Sequence, residues 1–244
     1  MLKYLETNSS TISPEIFISK FSGKRILVMG SGPSLNERSW QNVEVDSICT
    51  TSFFYLNDEV RSLKNITHVT LSEIIDFKDD RLISFLDENT DCTIALEPKA
   101  GRPFYNSDVF KSFESKYRDR LVFYNTKIDK KEGVAGRLCF FVMTFQPSEL
   151  YYVGIDGKSK DHRNDPPNAF RTNIVGDADG YVYEDFLDSH KIFANALYEE
   201  SILNGSKIFN LGEGLNYNLS SIVSTQKFPL SYDVMKLIQR NTYE

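Results

Sequence analysis

Short β-rich runs alternate with helix-like segments along this chain, and few architectures accept that order. The runs are Arg25–Met29, Val45–Thr50, Thr67–Leu71, Cys92–Leu96, Leu121–Tyr124, Leu150–Ile155 and Lys207–Leu211, each β-branched or aromatic and bounded by polar residues or glycine. A β-run followed by a helix is the repeat of a parallel sheet covered on both faces. The fold class read from this is α/β, with about seven strands in one doubly wound, mostly parallel sheet. With 41% hydrophobic residues among 244, the chain has roughly 100 apolar side chains, enough for one sizeable core.

The intervening segments carry helix punctuation. Ser13-Pro14 supplies an N-cap and a proline at the first helical position for a helix to about Phe21, and Gly23-Lys24 then turns the chain into the first strand. Asp79–Glu88 and Ser107–Arg118 show helical spacing. Val134–Phe145 is apolar almost all round, which predicts a buried helix ending at Gln146-Pro147. From Gly157 to Asp185 periodicity fades and Gly, Pro, Asp, Asn, Lys and Arg accumulate; a stretch that long inside a compact domain reads as a lid or small subdomain. A helix from Phe186 or Ser189 to Asn204 follows, closed by Gly205. The organisation is thus a single domain over residues 1–244, with 157–185 as lid or subdomain. The Ser231–Arg240 helix, with Val234, Leu237 and Ile238 on one side, reads as cover for the core; a homo-oligomer contact and peripheral membrane association are its other two readings.

Charge narrows the partners. Lys plus Arg total 28 against 34 Asp plus Glu, a formal charge of −6, so there is no global field to hold a polyanion and nucleic acid is not an expected partner. No apolar run approaches the ~20 residues of a spanning helix, and Met1–Ser10 lacks the layout of a signal peptide, so the chain is expected to be cytoplasmic, with the inner face of the membrane as its alternative address. Cys49, Cys92 and Cys139 are an odd number at wide spacing and read as reduced core thiols.

The sharpest local motif is Gly30-Ser31-Gly32-Pro33-Ser34-Leu35, directly after the first strand. Two glycines permit a tight turn and close approach of backbone to ligand, Pro33 suits the first turn of a helix, and Ser31 and Ser34 add hydroxyls. The pattern reads as a phosphate cradle, with a purely structural turn as its alternative; its place at the carboxyl end of a strand, where doubly wound, Rossmann-like sheets bind ligands, favours the cradle. It lacks the third glycine of the dinucleotide fingerprint and the Lys-Ser/Thr of a Walker loop. Val153-Gly154-Ile155-Asp156-Gly157 ends a second strand in a carboxylate, which either holds a ribose or sugar hydroxyl or caps the following turn. Lys130-Lys131-Glu132-Gly133-Val134-Ala135-Gly136 leads into the buried helix; its lysines face the cleft or form a solvated cluster.

His190 follows Asp185 and Asp188 near the start of the last long helix, where the helix dipole keeps an imidazole neutral, the state a general base needs. Its spacing to Phe186 and Phe193 also fits a hydrogen-bonded core histidine. His68 lies in a strand and reads as structural, and His162 lies in the lid beside Lys158, Lys160 and Arg163. Asp177-Ala178-Asp179-Gly180 fails as an EF-hand loop, and as an Asp-x-Asp clamp it is unspecific. No metal site and no cofactor are expected.

Arg25-Ile-Leu-Val-Met-Gly-Ser-Gly-Pro-Ser-Leu35, Cys49-Thr-Thr-Ser-Phe-Phe-Tyr55, Gly133-Val-Ala-Gly136 and Tyr151-Tyr-Val-Gly-Ile-Asp156, followed by His190 and a last strand, together resemble the layout of bacterial sialyltransferases of glycosyltransferase family 42. The resemblance spans about residues 24 to 212. The Gly-x-Gly-Pro-Ser element alone also resembles a broader group containing flagellar glycosylation proteins and pterin diphosphokinases.

The family resemblance implies metal-independent, inverting transfer from a cytidine-monophosphate-activated sugar to a hydroxyl of a glycan or glycolipid acceptor, in surface-polysaccharide or lipooligosaccharide assembly. Carried over, His190 becomes the base; Gly30, Ser31, Gly32, Pro33 and Ser34 surround the nucleotide; Thr50 or Thr51 faces the donor; Gly136 and Asp156 line the cleft. The chain departs from the family in several places. Thr50-Thr51 stands where the family has asparagine, and Ser31 where asparagine is common. The family's two lid tyrosines are replaced by Gly157-Lys-Ser-Lys-Asp-His-Arg163, with tyrosines only at Tyr181 and Tyr183. The donor sugar then need not be sialic acid, and Lys131, Lys158, His162 and Arg163 become the groups that stabilise the leaving phosphate. Two alternatives stand beside this reading: diphosphoryl transfer from a nucleoside triphosphate with Mg²⁺, and a noncatalytic nucleotide-sugar-binding protein.

Overall fold

The computed structural model describes residues 14–72, 74–96, 103–123, 133–155 and 196–212. Helix α1 (Pro14–Phe21) turns through Gly23, at φ 67°, into β1 (Arg25–Met29). Two 3-10 turns, Pro33–Glu37 and Ser39–Asn42, lead to β2 (Ser47–Thr51). A third, Phe54–Leu56, and the short helix α2 (Asp58–Arg61) precede β3 (Ile66–Leu71). Then come α3 (Asp80–Glu88), β4 (Thr93–Leu96), α4 (Asp108–Tyr117), β5 (Leu121–Phe123), α5 (Gly133–Met143) and β6 (Glu149–Val153). Residues 196–204, here α6, are helical and lead into β7 (Lys207–Asn210).

The strands form one sheet in the order β5-β4-β3-β2-β1-β6-β7, and every pairing is parallel. This is the doubly wound α/β sheet that the alternation predicts. The chain steps outward from β1 to β5 and then returns through α5 to lay β6 on the other side of β1. Local chemistry trims the expected boundaries. The Asp46 carboxylate accepts the Arg25 amide at 2.8 Å, so β2 begins at Ser47. Gly154, at φ 70°, turns the chain out of the sheet directly after Val153. Helix α5 stops at Met143 because Gln146, at φ 55°, takes the left-handed C-terminal position before Pro147.

Side chains cap the helices as their residue types require. The Asp79 carboxylate accepts the Arg81 amide at 2.9 Å, and Ser107 Oγ accepts that of Phe110 at 3.2 Å. At the far end of α3, the Arg120 guanidinium donates to the carbonyls of Asn89, at 2.6 Å, and Leu86.

Each face of the sheet has its own core. On one, Leu27, Met29, Ile48, Ile94 and Leu96 pack with Leu35, Trp40, α3 and α4. On the other, Ile26, Val28, Cys49, Leu150 and Tyr152 pack with α1, α5 and Leu197 of α6. Leu138 to Met143 of α5 are each 2% exposed or less, which accounts for a helix with no polar face. The three cysteines are free and buried; burial pushes the Cys92 thiol up to about 12 and those of Cys49 and Cys139 well above the usual range. His68 is fully buried among Phe17, Phe21 and Phe141. Among the described residues, no helix is long and apolar enough to cross a membrane.

Candidate functional site

Strand order reverses beside β1, and the crevice expected at such a reversal in an open α/β sheet lies off the carboxyl ends of β1 and β6. Gly-x-Gly-Pro-Ser and the Gly154-Ile155 start of Gly-Ile-Asp arrive there, one at the end of each strand. The Gly30 amide donates to the Val153 carbonyl and the Gly32 amide to the Gly154 carbonyl, both at 2.8 Å. In return, the Gly154 amide donates to Ser34 Oγ at 2.9 Å. A Cβ on Gly30 would lie 2.3 Å from the Gly154 carbonyl oxygen, and one on Gly154 would lie 2.5 Å from that of Gly30. The two backbones therefore touch as only glycines allow.

Helix α5 reaches the same point. Its Ala135 Cβ would be 3.1 Å from a Cβ on Gly30, so the Gly133-Val134-Ala135-Gly136 turn lies against the β1 exit. Gly136 is buried there. Three of the sequence's motifs thus converge, although they are far apart along the chain.

The geometry changes what the glycine loop does. The amides of Gly30 and Gly32 are bound to β6 and do not face outward to a phosphate. Nor does Pro33 open an α-helix: Pro33–Glu37 is a five-residue 3-10 turn, ended by Arg38 at φ 58°. Ser31 and Gly32 are half-buried at the loop's tip, while Ser34 is 1% exposed and bound to Gly154. Among the described residues, Ser31, Ser34, Thr50, Thr51 and Ser52 bring hydroxyls to this edge.

Thr50 and Thr51 fall on opposite faces. Ile48 belongs to the core under α3 and Cys49 to the core under α5, so alternation puts Thr50 with the former and Thr51 with the latter. The Thr50 hydroxyl donates to the Met29 carbonyl at 3.2 Å. Thr51, 4% exposed, shares the face of α5 and the Gly30 exit. Ser52, which sequence reasoning passed over, completes the ledge: its Oγ accepts the Ser72 amide at 2.6 Å, tying the end of β2 to that of β3. The run Thr50-Thr51-Ser52 at a strand end was the available sign.

Asp156, Lys131, Lys158, His162, Arg163 and His190 lie outside the described residues, as do the 157–185 segment expected to be a lid or small subdomain, Asp177, Asp179 and the Ser231–Arg240 segment. Among the described residues, no three His, Cys, Asp or Glu side chains are grouped to hold a metal ion.

No family model matches this chain, and no curated protein does. Solved structures do. The monofunctional α-2,3-sialyltransferase Cst-I of Campylobacter jejuni matches with a TM-score of 0.51 at 15% identity, over 90% of this chain and 82% of that one. The sialyltransferase CstII of the same organism, in complex with cytidine-5′-monophosphate, matches with a TM-score of 0.51 at 16% identity, over 91% and 92% of the two chains. CST-II with a trisaccharide acceptor and CMP gives the same score and identity, over 91% and 93%. The protein shares the α/β fold of these sialyltransferases.

Proposed function

We propose that the protein is a glycosyltransferase of the family 42 sialyltransferase type, moving a sugar from a nucleotide-activated, CMP-linked donor to a hydroxyl of a glycan acceptor. The observation that carries this reading is the convergence of the Gly30–Ser34 loop, the Gly154 turn and the start of α5 at the crevice beside β1. The likeness in fold to enzymes solved with CMP supports the choice of nucleotide.

In this reading the nucleotide lies along the β1 exit, with Ser31 and the Thr51–Ser52 ledge as hydrogen-bonding partners and Asp156 on a donor hydroxyl. His190 takes the proton of the acceptor hydroxyl. The oxygen attacks the anomeric carbon, the bond from that carbon to the phosphate oxygen breaks, and the phosphate leaves with the electron pair, so the anomeric centre inverts. Lys131, Lys158, His162 and Arg163 supply the positive charge that receives it. No metal takes part, and the 157–185 segment excludes water from the donor.

Transfer and binding are measured together. His190→Ala should abolish transfer and leave CMP affinity nearly intact, and wild-type transfer should survive excess EDTA. Near-normal turnover by His190→Ala would remove the assigned base. Thermal stabilisation by Mg-ATP and not by CMP would replace glycosyl transfer with the diphosphokinase reading.

A further inference from the structure

Trp40, the chain's single tryptophan, lies outside the crevice yet is bonded into the loop that builds it. Its indole is 5% exposed, and Nε1 donates to the Leu35 carbonyl at 3.0 Å. Leu35 adjoins Ser34, whose Oγ holds the Gly154 amide. The other donor to that carbonyl, the Arg38 amide, is 3.4 Å away, a long bond from a residue in the left-handed region. The front of the loop is pinned to β6 through Gly30, Gly32 and Ser34, whereas its rear is closed by the Leu35 amide, which donates to the Gly32 carbonyl at 3.1 Å, and by the indole N–H on the Leu35 carbonyl. Behind Trp40, Ser39 Oγ donates to the Leu211 carbonyl, so the next turn is itself anchored to the exit of β7.

We propose that Trp40 is a positioning residue for the nucleotide site, holding Ser34 against Gly154 through the Leu35 carbonyl. This rests on the reading of the crevice as a nucleotide site. Without the indole N–H, the Leu35 carbonyl keeps only the long bond from Arg38. The 3-10 turn then relaxes, Ser34 Oγ draws back from the Gly154 amide, and the β1 exit loses its fixed shape.

The test replaces the single tryptophan of the full chain with benzothienylalanine, which keeps the ring shape and puts sulfur in place of N–H; Trp40→Phe is the second variant. Loss of one buried hydrogen bond should speed hydrogen exchange at the Gly154 amide about five- to tenfold, with the amide of Val69 in β3 unchanged. The Kd for CMP should rise by a similar factor while kcat with saturating donor stays within about twofold. Unchanged Gly154 exchange in the benzothienylalanine protein overturns the proposal, as does faster exchange with an unaltered Kd. If the wild-type chain does not bind CMP, the nucleotide reading fails, and the exchange measurement still decides whether Trp40 holds the loop.

Discussion

Gly30 and Gly154 meet backbone to backbone across the ends of β1 and β6, and neither has room for a Cβ. The close approach joins the two motifs through main-chain atoms. It also makes the joint intolerant of substitution.

Gly154→Ala should be costly on two counts, a clash at 2.5 Å and a φ of 70°. Overpacking and left-handed strain together amount to about 3 kcal/mol, or a Tm lowered by about 6–12 °C in a chain of this size. Gly23→Ala is the control: its φ is 67°, but nothing lies within 4 Å of the new Cβ, so strain alone, about 1 kcal/mol, should appear. Thermal unfolding of the two variants gives the comparison, and equal losses would contradict the close contact. Gly30→Ala combined with Gly154→Ala should cost less than the two single losses added, because both force apart the same pair of backbones.

Ser34→Ala leaves the Gly154 amide without its acceptor in a buried place. An unmet buried donor costs about 1–3 kcal/mol, which urea unfolding would register as a lower midpoint at unchanged slope. A midpoint equal to that of wild type would mean that the amide finds another partner.

The two threonines of β2 should separate by assay. Thr50→Val removes the bond to the Met29 carbonyl and should lower stability by about 1 kcal/mol, with CMP affinity retained. Thr51→Val should do the reverse, weakening CMP binding with little change in Tm. Calorimetric titration with CMP, run beside thermal melts, distinguishes them; a reversed pattern would move the ligand to the other face of the sheet.

Much of this was legible beforehand, because strand-forming runs and their glycine exits are local. The Gly-Ser-Gly-Pro-Ser and Gly-Ile-Asp motifs could each be placed at a strand end from their own neighbours. Their contact could not, since it depends on β6 pairing with β1 and not with β5, a choice made by how α5 crosses the sheet. Ser52 was missed for the same reason: its partner, Ser72, follows a different strand, β3. The 3-10 turn at Pro33 escaped notice because Arg38, not a glycine, takes the left-handed position that ends it.

Acid should destabilise the fold through His68. Thr93 Oγ1 donates its one proton to the Thr67 carbonyl at 3.2 Å, so it must accept from His68 Nδ1 at 2.8 Å. His68 Nε2 then accepts from the Thr70 hydroxyl at 3.2 Å, and the ring is held neutral. Burial, with Lys20 adding to it, pushes its pKa from the ordinary 6.5 down to about 3. Between those values the unfolded chain binds a proton that the folded chain refuses. The stability held above pH 6.5 is therefore lost as pH falls toward 3, at up to about 1.4 kcal/mol per pH unit. Glu200 acts in the opposite sense: burial raises its pKa above the ordinary 4.5, against the Asn204 amide that donates to it, so its contribution improves as pH drops through the raised value toward 4.5. Urea midpoints measured from pH 8 to pH 4 should accordingly fall below pH 6.5. Glu200→Gln should steepen the fall at its acid end, and His68→Gln should flatten it throughout. A wild-type midpoint constant from pH 6.5 to pH 5 would mean that the ring takes up its proton without opening the core.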